Sequence, residues 1–145
     1  MKLYGKEKKM TREEKQLLMA DLCGRLPYGV IAQVDGWDEE EEIDVIVPVR
    51  VYFINTDGYV YFGVNDYNVE YCMIEDCTPY LRPLSSMTEE ERDEYHSIQS
   101  DIWKPCGTQY YDNWHSIDWL NAHHFDYRGL IEKRLAISTE EFNPY

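Results

Sequence analysis

Between residues 43 and 54, in IDVIVPVRVYFI, apolar side chains fall at every second position: Ile43, Val45, Val47, Val49, Val51 and Phe53. A period of two is that of a strand, and it predicts all six on one face. Pro48 has no N–H to give a ladder, which predicts a sheet edge or a bulge there. YGVIAQV (28–34) reads as an earlier strand that stops at Asp35-Gly36, and NTDG (55–58) as a hairpin turn with Gly58 supplying positive φ. YVYFGV (59–64) returns, NDYN turns again, VEYCMI (69–74) follows, and YLR (80–82) supplies a short further strand. The middle of the chain is thus an antiparallel meander of four to five strands, with one apolar face in need of cover.

The period changes to that of a helix on either side. Thr11 followed by Glu14 is a capping box, opening REEKQLLMADLCGRL, which buries Leu17, Leu18, Leu22 and Leu26. Pro27 ends it, with Gly24 easing the exit. Thr88 and Glu91 repeat the box before EEERDEYHSIQSDIW, where Tyr95, Ile98 and Ile102 make a core stripe; Pro105 stops it. NWHSIDWLNAHHF reads as another helix, capped by Asp112 or Ser116, and YRGLIEKRLA as a last one, capped by Asp126. The expected fold class is α+β: an N-terminal helix, the meander, then two or three helices across its apolar face. A curled, SH3-like barrel is a variant of the same plan. Residues 1–10 read as a flexible basic lead-in, 11–137 as a single domain and 138–145 as a flexible tail.

Composition narrows the function. With 145 residues, the chain suits one domain. Its 28 acidic against 14 basic residues give a net charge of −14, which repels a phosphate backbone, so no direct nucleic-acid partner is expected. Such a field favours a partner with a basic surface. Nothing in the N-terminal sequence resembles a secretory leader, and no run is apolar enough to span a membrane, so a cytoplasmic setting with reduced thiols is expected.

Four features could carry chemistry. On a helix, Ile117, Leu120 and His124 share one face, while His115, Trp119 and His123 share its neighbour. The architectural reading has His124 closing the core seam as a cation near the helix end, and His123 stacked on Trp119 and paired with Asp126. The chemical reading makes His123 a general base oriented by Asp126, with Arg128 holding an anion, as in a small hydrolase. Cys72 and Cys77 have a C-x4-C spacing that Cys106 and His115 could extend, but paired C-x2-C knuckles are missing and no metal is expected. No Walker loop, G-x-S-x-G elbow or dinucleotide fingerprint occurs, and no cofactor is expected.

The acidic run and the tyrosines point outward. The like charges of DEEEE (38–42) repel one another, which predicts an exposed loop or strand lip; Asp35, Asp38, Glu39, Glu40, Glu41 and Glu42 could also mimic a polyanion before a nucleic-acid-binding protein. Tyr52, Tyr59, Tyr61, Tyr67 and Tyr71 crowd the meander, with Tyr110 and Tyr111 in a late loop. Amphipathic rings of this kind mark interaction surfaces.

At LCGRLPYGV (22–30) and above all SIDWLNAHHFDYRGLIEK (116–133), the chain resembles a group of small uncharacterised proteins from gut Bacteroidetes and their phages or other mobile elements. That resemblance implies a bacterial or phage setting and an accessory role, and it brings no activity, cofactor or catalytic residue with it. The sequence therefore favours a non-enzymatic interaction protein. It would bind a partner protein through Asp35, Asp38, Glu39, Glu40, Glu41, Glu42, Tyr59, Tyr61 and Tyr67, ahead of the polyanion mimic and the hydrolase.

Overall fold

A computed structural model describes residues 10–38, 43–63, 68–100 and 109–145. Thr11 opens the first helix: its hydroxyl accepts the Glu14 amide at 3.1 Å, and the Glu14 carboxylate accepts the Thr11 amide at 3.2 Å. These bonds satisfy donors that a helix start leaves orphaned. Helix α1 spans Arg12–Arg25, with Leu18 and Leu22 fully buried and Leu17 and Leu26 partly so. Its exit differs from expectation. Gly24 stays helical, Leu26–Tyr28 continue as a 3-10 turn containing Pro27, and Gly29 ends it at φ 76°.

Strands β1 (Ile31–Asp38), β2 (Ile43–Ile54), β3 (Tyr59–Gly63) and β4 (Val69–Met73) pair consecutively and antiparallel, as expected, but β1 starts later and runs past Asp35-Gly36, because β2 pairs with it as far as Asp38. Strand β5 (Cys77–Pro83) then pairs antiparallel with β1, giving the order β4-β3-β2-β1-β5. Yet β4 and β5 are joined only by Ile74–Asp76, one 3-10 turn. A flat sheet would hold them roughly 19 Å apart, at about 4.8 Å per pairing. The four Cα steps between Met73 and Cys77 reach at most about 14 Å. The sheet must therefore curl until its ends approach, in the manner of the SH3-like variant.

The curl includes a bulge. Val51 lies opposite Phe62 but Phe53 opposite Tyr61, so Tyr52 is an extra residue in β2. Val51 points inward, whereas Phe53, expected on the same face, emerges outside at 50% exposure. Pro48 is exposed opposite Gln33 of β1, before the described β2–β3 pairing begins at Arg50. Its missing N–H costs that described ladder nothing.

Helix α2 (Glu89–Ser100) is opened by Thr88 and Glu91 through bonds of 3.1 and 2.9 Å. Helix α3 (Gln109–Ala122) begins upstream of Asp112 and Ser116, so neither is its cap. The last expected helix is a series of turns, with Gly129 at φ 74° and Arg134 at φ 62° breaking any helical run. Asp126 still works as a cap there, accepting the amides of Leu130 and Ile131, each at 2.9 Å. Short β6 (Phe125–Asp126) and β7 (Ile137–Ser138) run parallel to β5.

Cover comes in two parts. Leu18 and Leu22 of α1, with Leu130, Leu135 and Ala136 of the turns, close over Val30, Val34, Val51, Val60 and Leu81. Helices α2 and α3 build a second cluster, in which Trp119, Leu120 and Phe125 meet Tyr95 and Ile98. Ile117, expected in the seam, is 37% exposed, because α3 turns Ser116, Trp119, Leu120 and Asn121 inward instead. The last residues, expected to fray, lie against the body. The Tyr145 hydroxyl donates to the Tyr80 carbonyl at 2.9 Å and accepts from the Ile31 amide at 3.1 Å.

Candidate functional site

The segment with the histidines resolves into separate structural contacts. His123 follows the end of α3, its ring stacked on Trp119 at 4.0 Å and its Nδ1 2.9 Å from the Trp119 carbonyl oxygen. A carbonyl can only accept, so Nδ1 carries the proton. Asp126, the expected partner of His123, uses both oxygens on the backbone amides of Leu130 and Ile131. Arg128 pairs with Asp21 at 3.3 Å and lies over the Tyr127 ring. The His123–Asp126–Arg128 arrangement that a hydrolase would need is not assembled: each member is committed to a different neighbour.

His124 departs from its expected role as well. It sits beyond α3 at φ 64°, stacked on Tyr145 at 3.7 Å, with Nδ1 buried and unpartnered. Burial first, then the charges of Arg25, Arg82 and His123, pull its pKa down to about 4. It is neutral at pH 7, so it is not the cation expected at the helix end.

Beneath this segment lies an ion pair that the sequence reading missed. Arg25 donates to both Asp21 oxygens, at 2.7 and 3.1 Å, and to the Phe125 carbonyl at 2.7 Å. Asp21 and Arg25 are fully buried. The i, i+4 spacing was the available signal, masked by the apolar residues beside it. Arg82 makes a comparable bridge on the outside, gripping Glu91 of the α2 capping box at 2.7 and 2.8 Å while lying over the Phe125 ring.

The surface best suited to recognition is the outer face of β2, β3 and β4. Phe53 stacks on Tyr61 at 4.3 Å, Tyr61 meets Tyr71 at 5.7 Å, and Tyr71 takes an edge contact from Tyr59 at 5.5 Å. These are the offset and T-shaped arrangements that ring quadrupoles favour. Cross-strand register builds the face: Tyr61 lies opposite Tyr71, Tyr59 opposite Met73 and Gly63 opposite Val69. Tyr52 covers Gly63, where a Cβ would come within 2.6 Å of the Tyr52 ring carbon Cζ. Although it touches two other rings, Tyr71 is 62% exposed, with Val69, Phe53, Tyr52 and Met73 between 53% and 40%.

Of the expected partner-binding residues, Tyr59 and Tyr61 join this face, half-buried. The backbone of Asp35 and Asp38 lies in β1, while Glu39, Glu40, Glu41, Glu42 and Tyr67 fall outside the described residues. Phe53, Val69 and Met73 were missed. The alternation of Val69, Tyr71 and Met73 could have disclosed two of them; the bulge that turns Phe53 out left no local mark.

Among the described residues, no group of three His, Cys, Asp or Glu side chains is placed to hold a metal, and no helix is long and apolar enough to cross a membrane. The chain matches no family model, no curated protein and no solved structure.

Proposed function

We propose that the protein is a non-enzymatic interaction module that receives an arginine-rich or lysine-rich segment of a partner protein on the outer face of β2–β4. The observation that carries this reading is the set of four rings, Phe53, Tyr59, Tyr61 and Tyr71, packed on one another across three strands, with Phe53, Tyr71 and the neighbouring Tyr52 exposed to solvent. Rings already held by one another lose little freedom on binding, and tyrosines are over-represented where proteins meet. Each cation over a ring face contributes about 0.5–2 kcal/mol. The chain's net charge of −14 steers such cations inward and disfavours acidic partners. The resemblance to proteins of mobile elements would make this an accessory role in a bacterial or phage setting.

A fluorescent octapeptide of alternating arginine and glycine tests the reading, with its glutamate counterpart as control. The arginine peptide is expected to bind and to lose affinity about tenfold between about 50 and 300 mM salt, as screening shortens the reach of the charges. Phe53→Ala with Tyr71→Ala should weaken it by a further tenfold or so, two ring contacts at about 0.7 kcal/mol each; the lost ring–ring contacts should also lower melting by several degrees, so binding is compared well below the melting point of either protein. Equal binding by the double variant, or equal binding of the glutamate peptide, would refute it.

A further inference from the structure

Cys72 is the fourth residue of β4 and Cys77 the first of β5. Cys77 is 1% exposed in the main core; Cys72, opposite Val60, packs against the same core but stays half-buried. Their thiols lie within hydrogen-bond reach of each other. The strands that carry them stand at opposite ends of the β4-β3-β2-β1-β5 path, meet only through the curl, and are linked by one 3-10 turn. We propose that Cys72 and Cys77 are an oxidisable dithiol, closing to an intramolecular disulfide across this seam by exchange with a low-molecular-weight disulfide such as glutathione disulfide.

Cys72 is the sulfur a reagent can reach. Its thiolate attacks one sulfur of the small disulfide, whose S–S bond breaks and releases one thiolate. Cys77 gives its proton to that thiolate and attacks the Cys72 sulfur of the mixed disulfide, expelling the second small thiol. Two protein thiols are thereby oxidised and one small disulfide is reduced to two thiols. The Cys72 sulfur, and then burial, push the Cys77 thiol well above its usual value, so first attack falls to Cys72; the mixed disulfide removes the Cys72 thiol that contributes most to that rise, and mildly alkaline pH supplies the Cys77 thiolate for the second step. The loop closed is six residues long, and it would fasten two strands that share no ladder with each other among the described residues.

Treating a Cys23→Ser, Cys106→Ser variant with excess glutathione disulfide at mildly alkaline pH isolates the pair. Intact mass should fall by about 2 Da, peptide mapping should join residues 72 and 77, and melting should rise by about 5 °C. Adding Cys77→Ser should halt the reaction at a Cys72 adduct, heavier by about 305 Da. The same mapping on the unaltered chain guards against a folding defect in the variant. A lasting adduct on Cys72 with Cys77 present, or two free thiols at equilibrium, overturns the proposal.

Discussion

His124 sits at φ 64°, where its ring meets Tyr145 and the Arg25 and Arg82 guanidinium groups oppose a further positive charge. Its folded pKa of about 4 lies below the ordinary value of 6.5. In acid the unfolded chain therefore takes up a proton that the folded chain refuses. The stability this residue confers is whole above pH 6.5 and drains away as pH falls toward 4. The loss should be on the order of 2 kcal/mol, less than the full shift implies because the ring is only partly buried. Asparagine tolerates a left-handed backbone and does not titrate. His124→Asn should therefore flatten the acid limb between those pH values, as read by denaturant unfolding at pH 7, 5.5 and 4.5; parallel curves for parent and variant would refute it. Glu91 works with the same sign through the opposite chemistry. Arg82 foremost holds its carboxyl down to about 2, so its contribution is present above pH 4.5 and lost as pH falls from there. Glu91→Gln should cost about 1–2 kcal/mol at pH 7 and progressively less toward pH 2.

The elements divide by how local their causes are. Both capping boxes were legible because four consecutive residues suffice to make one, and Thr11–Glu14 and Thr88–Glu91 form as read. The meander was legible because alternation is a property of each strand alone. What the sequence concealed depends on partners distant along the chain. Phe53 leaves the core because β3 fixes a register that admits Tyr52 as an extra residue. The Asp21–Arg25 pair is buried because Phe125, one hundred residues later, offers its carbonyl to Arg25. Helix α3 was legible as a helix, but its rotation was not: a stripe of Ile117, Leu120 and His124 was expected, and Trp119 with Leu120 is what meets Tyr95 and Ile98. Leu120, at 5% exposure, and Ile117, at 37%, thus give a sharp comparison on one helix. Leu120→Ala should cost about 2–4 kcal/mol and Ile117→Ala under about 1 kcal/mol by chemical denaturation. Equal losses would mean that the helix is turned otherwise.

For the molecule as a whole, the question is what joins the curled sheet to the α2–α3 cluster beside it. Arg25 reaches between them: it belongs to α1, whose leucines fill the main core, and it donates to the carbonyl of Phe125, whose ring fills the other. Arg128 adds a second guanidinium to Asp21 from the partly exposed side, and both guanidinium groups lie over the Tyr127 ring, at 5.1 and 5.2 Å from its centre. A buried pair of this kind is weak grounds for net stability, because desolvating two charges offsets most of their attraction. Losing one partner is another matter. Arg25→Met would leave Asp21 in the interior with only the longer contact to Arg128, at a cost of about 3–5 kcal/mol. Asp21→Leu combined with Arg25→Met removes both charges and keeps most of the volume, leaving the Phe125 carbonyl short of one donor. Its loss should be smaller than that of the single variant by about 2 kcal/mol or more. Chemical unfolding of the three proteins, followed by tyrosine and tryptophan emission, decides the matter. If the double variant is as unstable as the single one, Arg25 joins the two cores by its shape and its bond to Phe125 rather than by neutralising Asp21.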